Sequence, residues 1–160
     1  MRVVLDTNVV VSGVIKQESP PGQILSQFFQ ERKFISITSF EILAEIREVL
    51  QRPKVRRYHG WTNEEIDAFV TFLYAQSVVT EGTRTLNVAR DPQDNKFLAC
   101  ASEGSAEYPV SGDDDLLQIK VFERTQIVRP RTFLETLQSS SKNSRSNPDF
   151  DSHFVKVKPQ

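Results

Sequence analysis

The chain has almost none of the residues that build sulfur or imidazole chemistry: one cysteine, Cys100, and two histidines, His59 and His153, in 160 residues. A lone thiol excludes an intramolecular disulfide and a cysteine cage, and two imidazoles leave little for a zinc site. An excess of charge is missing as well. With 20 Lys and Arg against 21 Asp and Glu the formal net charge is -1, so no global field draws the chain to nucleic acid or membrane, and a polyanion must be met by a local basic patch. Long apolar runs are also absent. The most apolar stretch, VVLDTNVVVSGVI at 3–15, is broken by Asp6, Thr7 and Asn8, well short of the roughly 18 apolar residues that a membrane span needs. These absences lead to the expectation of a cytoplasmic protein in a reducing compartment, with no signal peptide and no membrane helix.

What is present suits one globular domain: 38% hydrophobic and 26% charged residues, enough apolar surface for a single core. The β-branched run 2–5 predicts a buried strand ending at Asp6, followed by a loop or short helix over 9–15. Ser19-Pro20-Pro21-Gly22 predicts a helix start, with Ile24, Leu25, Phe28 and Phe29 at helical spacing through 32. A second strand is expected at 34–37. Ser39 then caps a helix whose Ile42, Leu43, Ile46, Val49 and Leu50 share a face until Pro53. Thr62 to Glu65 has the form of a capping box opening a further helix. Strands are expected at 77–80, 108–110 and 127–128, with a helix begun by Asp91-Pro92 and closed by Gly104, and a last helix through Leu134 and Leu137. Strand alternating with helix predicts an α/β fold around a mainly parallel sheet. From 138 to 160 the chain is polar and nearly free of aliphatics, which predicts a flexible tail appended to a domain over 1–137.

In such sheets ligands bind beyond the carboxyl ends of the strands. Asp6 follows the first strand there, and Ser111-Gly112-Asp113-Asp114-Asp115 follows the fourth. Two helical acids join them. At 100° per residue Glu45 lies about 40° from Val49, on the border of its apolar stripe, and Asp94 falls between Leu98 and Ala101 in the middle of its own. Each has an ordinary explanation when taken alone: Asp6 and Asp113 as helix caps, Asp94 as part of a cap with Asp91, Glu45 as a solvated charge. Together they would repel, and a hard divalent cation relieves that repulsion. Mg²⁺ or Mn²⁺ suits an all-oxygen site, acidifies water and neutralises charge on a phosphate ester, so the expected chemistry is phosphodiester or phosphate-ester hydrolysis.

LDTNVVVSGVI, EILAEIREVLQRPK, ARDPQDNKFLACA and YPVSGDDDLL resemble, in order and spacing, the PIN-domain proteins, and within them the toxins of toxin–antitoxin pairs. The likeness covers roughly 1–137 and leaves the tail out. It implies a three-layer α/β/α domain carrying a metal-dependent ribonuclease site. It also implies that Asp6, Glu45, Asp94 and Asp113 are the four acids, that Asp115 is an accessory acid, and that Asn8 and Ser111 brace the site, with Ser12 a weaker candidate. Ser111 stands where the family often has Thr, and Asp114 where a basic or neutral residue is usual. An antitoxin partner, met through a basic side chain in the acidic pocket, and a homodimer are further expectations of the likeness.

On this reading Asp6, Asp94 and Asp113, with Glu45 directly or through water, hold one or two Mg²⁺ or Mn²⁺ ions. Arg52, Lys54, Arg56 and Arg57, interleaved with Tyr58 and Trp61, are candidates to hold single-stranded or structured RNA, an ordinary solvated linker being the competing explanation. Two rivals stay open. A phosphatase or phosphotransferase would use Asp6 as nucleophile, but the position two residues on, where such enzymes place an acid, holds Asn8. A module of the same fold with an idle site would bind RNA or protein without chemistry.

Overall fold

The structure, a computed structural model, describes residues 1–145. Four short strands, β1 (Arg2–Leu5), β2 (Ile35–Ser39), β3 (Val78–Thr80) and β4 (Tyr108–Val110), form one parallel sheet in the order β3-β2-β1-β4. Central β1 buries Val3, Val4 and Leu5, the continuous apolar run that a strand covered on both faces requires. Pro109 is accommodated because β4 lies beyond β1, where a missing N–H costs least.

Between β1 and β2 run α1 (Thr7–Ile15), α2 (Pro20–Ser26) and a π-helical turn, Gln27–Glu31. Three helices join β2 to β3: α3 (Phe40–Gln51), α4 (Pro53–His59) and α5 (Asn63–Gln76). A 3₁₀ turn, Pro92–Asp94, leads into α6 (Asn95–Glu103) and so to β4. After β4 come α7 (Asp114–Leu117), a hairpin of β5 (Val121–Phe122) and β6 (Thr125–Gln126), and α8 (Pro130–Arg145). The steps from β1 to β2 to β3 go one way across the sheet and the step from β3 to β4 goes back. Right-handed crossovers therefore place the two sets of helices on opposite faces, which gives the three-layer α/β/α arrangement. The reversal leaves a switch point between the adjacent strands β1 and β4, where chains leave in opposite directions and open a crevice.

Local chemistry sets the helix boundaries. Ser39 Oγ accepts the Ile42 N–H at 3.2 Å, and Thr62 with Glu65 completes a reciprocal capping box. Pro53 ends α3 and then serves as the first residue of α4, where its missing N–H is harmless. Gly104 ends α6 for another reason: a Cβ there would stand 2.3 Å from Ile37 Cγ2, so a side chain would hold α6 off β2.

Several expectations need correction. The segment after Asp6 is helical from Thr7 onward. The helix expected through 32 gives way at Gln27 to the π turn, which ends at Arg32 in a left-handed conformation, φ 49°. The fifth strand at 127–128 reduces to a single parallel bridge, Val110 to Val128, because the chain turns into α8 at Pro130. Arg52 to Arg57 lie at the α3–α4 junction and on α4 rather than on a linker. The polar segment expected as a tail from 138 begins inside α8, which buries Phe133, Leu134 and Leu137 in its first half and continues to Arg145. The rest of that segment, 146–160, lies outside the described residues.

Leu98 on α6 is completely buried, so Leu98→Ala should cost about 3 kcal/mol, read as a lower urea midpoint with an unchanged slope. Phe40→Ala, at a residue 63% exposed, should leave the midpoint nearly where it was.

Candidate active site

Asp6 is the first residue beyond β1, and the sheet itself fixes its place: its N–H donates to the Val110 carbonyl of β4 at 3.0 Å. Its carboxylate is 5% exposed and uses both oxygens. Oδ1 accepts the Asn8 backbone N–H at 3.3 Å as the cap of α1, and Oδ2 accepts the Ser111 hydroxyl at 2.6 Å. Ser111, the corresponding residue beyond β4, is fully buried and its Oγ also accepts the Asp113 N–H at 3.0 Å. One hydroxyl thus ties the ends of the two strands at the switch point together.

Asp94, Asp113 and Asp115 come together beside this pair, each offering a carboxylate oxygen within 4.8 Å of the others. Asp113 caps α7 by accepting the Asp115 N–H at 2.8 Å. Asp94 has no such duty. Asp91 does the capping in that turn, accepting the Gln93 N–H at 3.0 Å, while Asp94 makes no cap hydrogen bond and leaves a buried Oδ2 without a partner. A buried carboxylate oxygen left unsatisfied is costly, and a cation held by the three aspartates would satisfy it. The donor set is all hard oxygen, which fits a divalent cation with retained waters and does not fit a soft metal.

Glu45 reaches the site from α3 but stands outside the trio. Its Oε2 lies 2.6 Å from Lys96 Nζ, an ion pair in which the lysine side chain is 7% exposed and the glutamate 32%. Glu45 is therefore not a freely solvated charge, and Lys96 is a site residue that the sequence reading missed. Its signal was weak: Lys96 follows Asp94 by two residues, which on a helix turns it to another side. Only the packing of α3 against α6 makes it Glu45's partner.

The remaining candidates separate clearly. Asn8 donates its backbone N–H to Asp6 while its side chain is exposed. Ser12 is exposed on α1, and no hydrogen bond among the described residues joins its hydroxyl to the carboxylates. Thr7 turns inward, with its Oγ1 buried and unpartnered. Asp114 faces solvent and pairs with Arg129 at 3.3 Å, which offsets the extra negative charge. On the basic stretch Arg52 is engaged by both oxygens of Glu48 at 3.1 and 2.9 Å, and Arg56 by Asn63, whereas Lys54 and Arg57 are exposed. A cavity of about 530 Å³ lined by Leu25, Phe29, Trp61, Phe69 and Phe72 is apolar and includes none of these carboxylates.

Comparison with known proteins shows what the chain is similar to. The family model described as PIN domain matches residues 2–115. An uncharacterized protein of Methanocaldococcus jannaschii is 37% identical over 120 residues, spanning 75% of this chain and 76% of that protein. Among solved structures, a chain in the crystal structure of VapBC2 from Rickettsia felis bound to a DNA fragment from their promoter superposes with a TM-score of 0.54. That match has 13% identity and covers 81% of this chain and 98% of the other, a likeness of fold.

The clustering of acids is visible in their proton affinities. Burial holds the Asp6 carboxyl above its usual range, against the hydrogen bonds from Ser111 and Asn8, and the charges of Glu45 and Asp113 add to the rise. Asp94 is pushed up to about 6, by burial first and then by Asp113, Asp91, Asp6 and Asp115. The folded chain thus keeps the Asp94 proton to higher pH than the unfolded chain, and this group's contribution to stability falls as pH rises from the ordinary carboxylate range through about 6. In chelator, Asp94→Asn should raise the melting temperature most at about pH 8, and the gain should shrink as pH drops through that window. Melting curves across this range test it, and a gain independent of pH would contradict the assignment.

Proposed function

The chain belongs to the PIN-domain family, whose members are generally nucleases, and on that premise we propose that it is a metal-dependent endoribonuclease acting on RNA phosphodiester bonds at the switch-point carboxylates. The observation that carries the proposal is the trio Asp94, Asp113 and Asp115 with the buried, unpaired Oδ2 of Asp94 among them. The ion that fits is Mg²⁺ or Mn²⁺, because the donors are oxygens only and the usual substrates of such sites are phosphates. When bound, the ion supplies Lewis acidity toward water and toward the phosphate oxygens.

The protein's own groups do the positioning. Asp113 and Asp115 approach from the start of α7, after β4, and Asp94 from the start of α6, so the three donors arrive on two separate segments anchored in the core. Asp6 stands beside them with its orientation set by Ser111 and by the Asn8 N–H, which fixes the carboxyl group next to the reacting centre. No serine or histidine nucleophile is required, in keeping with Ser111 being committed to Asp6 and Asp113. Lys54 and Arg57, exposed on α4, are the groups available to hold the RNA backbone, while Arg52 and Arg56 are already engaged. A phosphotransferase reaction through Asp6 is less well supported, because both oxygens of that buried carboxylate accept hydrogen bonds.

The biological role proposed is that of the toxin in a toxin–antitoxin pair. The motif likeness and the shared fold with a VapBC2 chain support it. An antitoxin would silence the site by offering a basic side chain, best an arginine, whose bidentate pairing competes with the cation for the carboxylates.

Asp94→Asn should abolish Mn²⁺-dependent cleavage of single-stranded RNA while the variant remains folded by circular dichroism; cleavage at the wild-type rate would overturn the assignment. Ser111→Ala, which removes the hydroxyl that holds both Asp6 and the Asp113 N–H while leaving every carboxylate in place, should lose roughly 10- to 100-fold in activity. Ser111→Thr, which keeps the hydroxyl, should lose less.

A further inference from the structure

Resting on the nuclease reading above, we propose that Lys96 is a resident cation of the carboxylate site: by holding Glu45 it takes the place of a second divalent ion and limits the site to one, at Asp94, Asp113 and Asp115. Two-ion sites share their carboxylates between ions about 3.5–4 Å apart. Here the geometry divides the acids differently. Three of them converge with donor oxygens within 4.8 Å, whereas Glu45 gives its buried Oε2 to the Lys96 ammonium at 2.6 Å. Asp6 has both oxygens engaged by hydrogen bonds.

The ammonium cannot readily leave. The Lys96 side chain is 7% exposed, and its Nζ lies 5.2 Å from the centroid of the Phe97 ring, a cation–π contact that adds to its retention. A second divalent ion seeking Glu45 would have to strip a buried ammonium of its one ion pair among the described residues, and leaving a buried charge without its partner is unfavourable. The converse also holds: removing the ammonium leaves the Glu45 carboxylate without its cation beside the other acids of the site, and that is the environment a second cation seeks. A lysine acting only as a staple between α3 and α6 would change stability on replacement and leave the number of bound ions as it was.

Calorimetric titration of the full chain with Mn²⁺, with electron paramagnetic resonance counting bound ions, tests the proposal. The wild type should bind one ion and Lys96→Met should bind a second; Lys96→Arg should remain at one. Two ions in the wild type, or one in a folded Lys96→Met variant, overturns the proposal and leaves the nuclease reading standing. No ion in the wild type overturns both. Should Lys96→Met fail to fold, the double replacement Glu45→Gln with Lys96→Met removes the charge pair together. It should bind one ion with an affinity within about threefold of the wild type, and a loss of roughly tenfold or more would make Glu45 a ligand and overturn the proposal.

Discussion

Mutual repulsion among carboxylates gathered at one edge of a small sheet is the constraint to which the rest of the molecule answers. Asp6, Glu45, Asp94, Asp113 and Asp115 act on one another, and two of them, Asp6 and Asp94, are deeply buried. The fold meets this cost with groups of fixed geometry. Asp6 and Asp113 each cap a helix, so backbone N–H groups face their oxygens. The Ser111 hydroxyl serves Asp6 and the loop of Asp113 at once. Lys96 is spent on Glu45 and Arg129 on Asp114. What remains unmet is Asp94 Oδ2, and that unmet oxygen is where a cation is called for.

Topology explains why these groups meet. Strand order β3-β2-β1-β4 makes β1 and β4 neighbours although about a hundred residues separate them in sequence, so residue 6 and residues 111–115 emerge side by side. The hydrogen bond from Asp6 N–H to the Val110 carbonyl fixes the register at this point. Right-handed crossovers then bring Glu45 from one helical layer and Asp94 from the other. Asp6 and Ser111 each stand one residue beyond paired backbone and inherit its rigidity.

Much of this could be read from the residues. The strand ends, the caps at Ser39 and Thr62, the apolar face of α3 and the inward position of Asp94 are all short-range patterns of period or capping. The errors have a common physical source. A motif does not say which atoms of Asn8 and Ser12 face the site: α1 starts at once after Asp6, so Asn8 supplies its N–H and Ser12 turns to solvent. The polar stretch after Leu137 looked like tail because composition does not reveal that a helix whose first half is docked continues. The strand at 127–128 had the right residues but only one bridge's length before Pro130.

The sequence by itself therefore determined the α/β class, the order of the elements and the presence of acids at strand ends and on inward helix faces, because those depend on neighbours within a turn or two. Only the tertiary structure decided how the acids are shared out: Asp94 with Asp113 and Asp115, Asp6 with Ser111, Glu45 with Lys96. Charge pairing and burial act through space, and residues 45 and 96 become partners only when α3 and α6 pack against one another around the sheet. A spacing in sequence can place a carboxylate on a face; the fold alone chooses the cation it will meet.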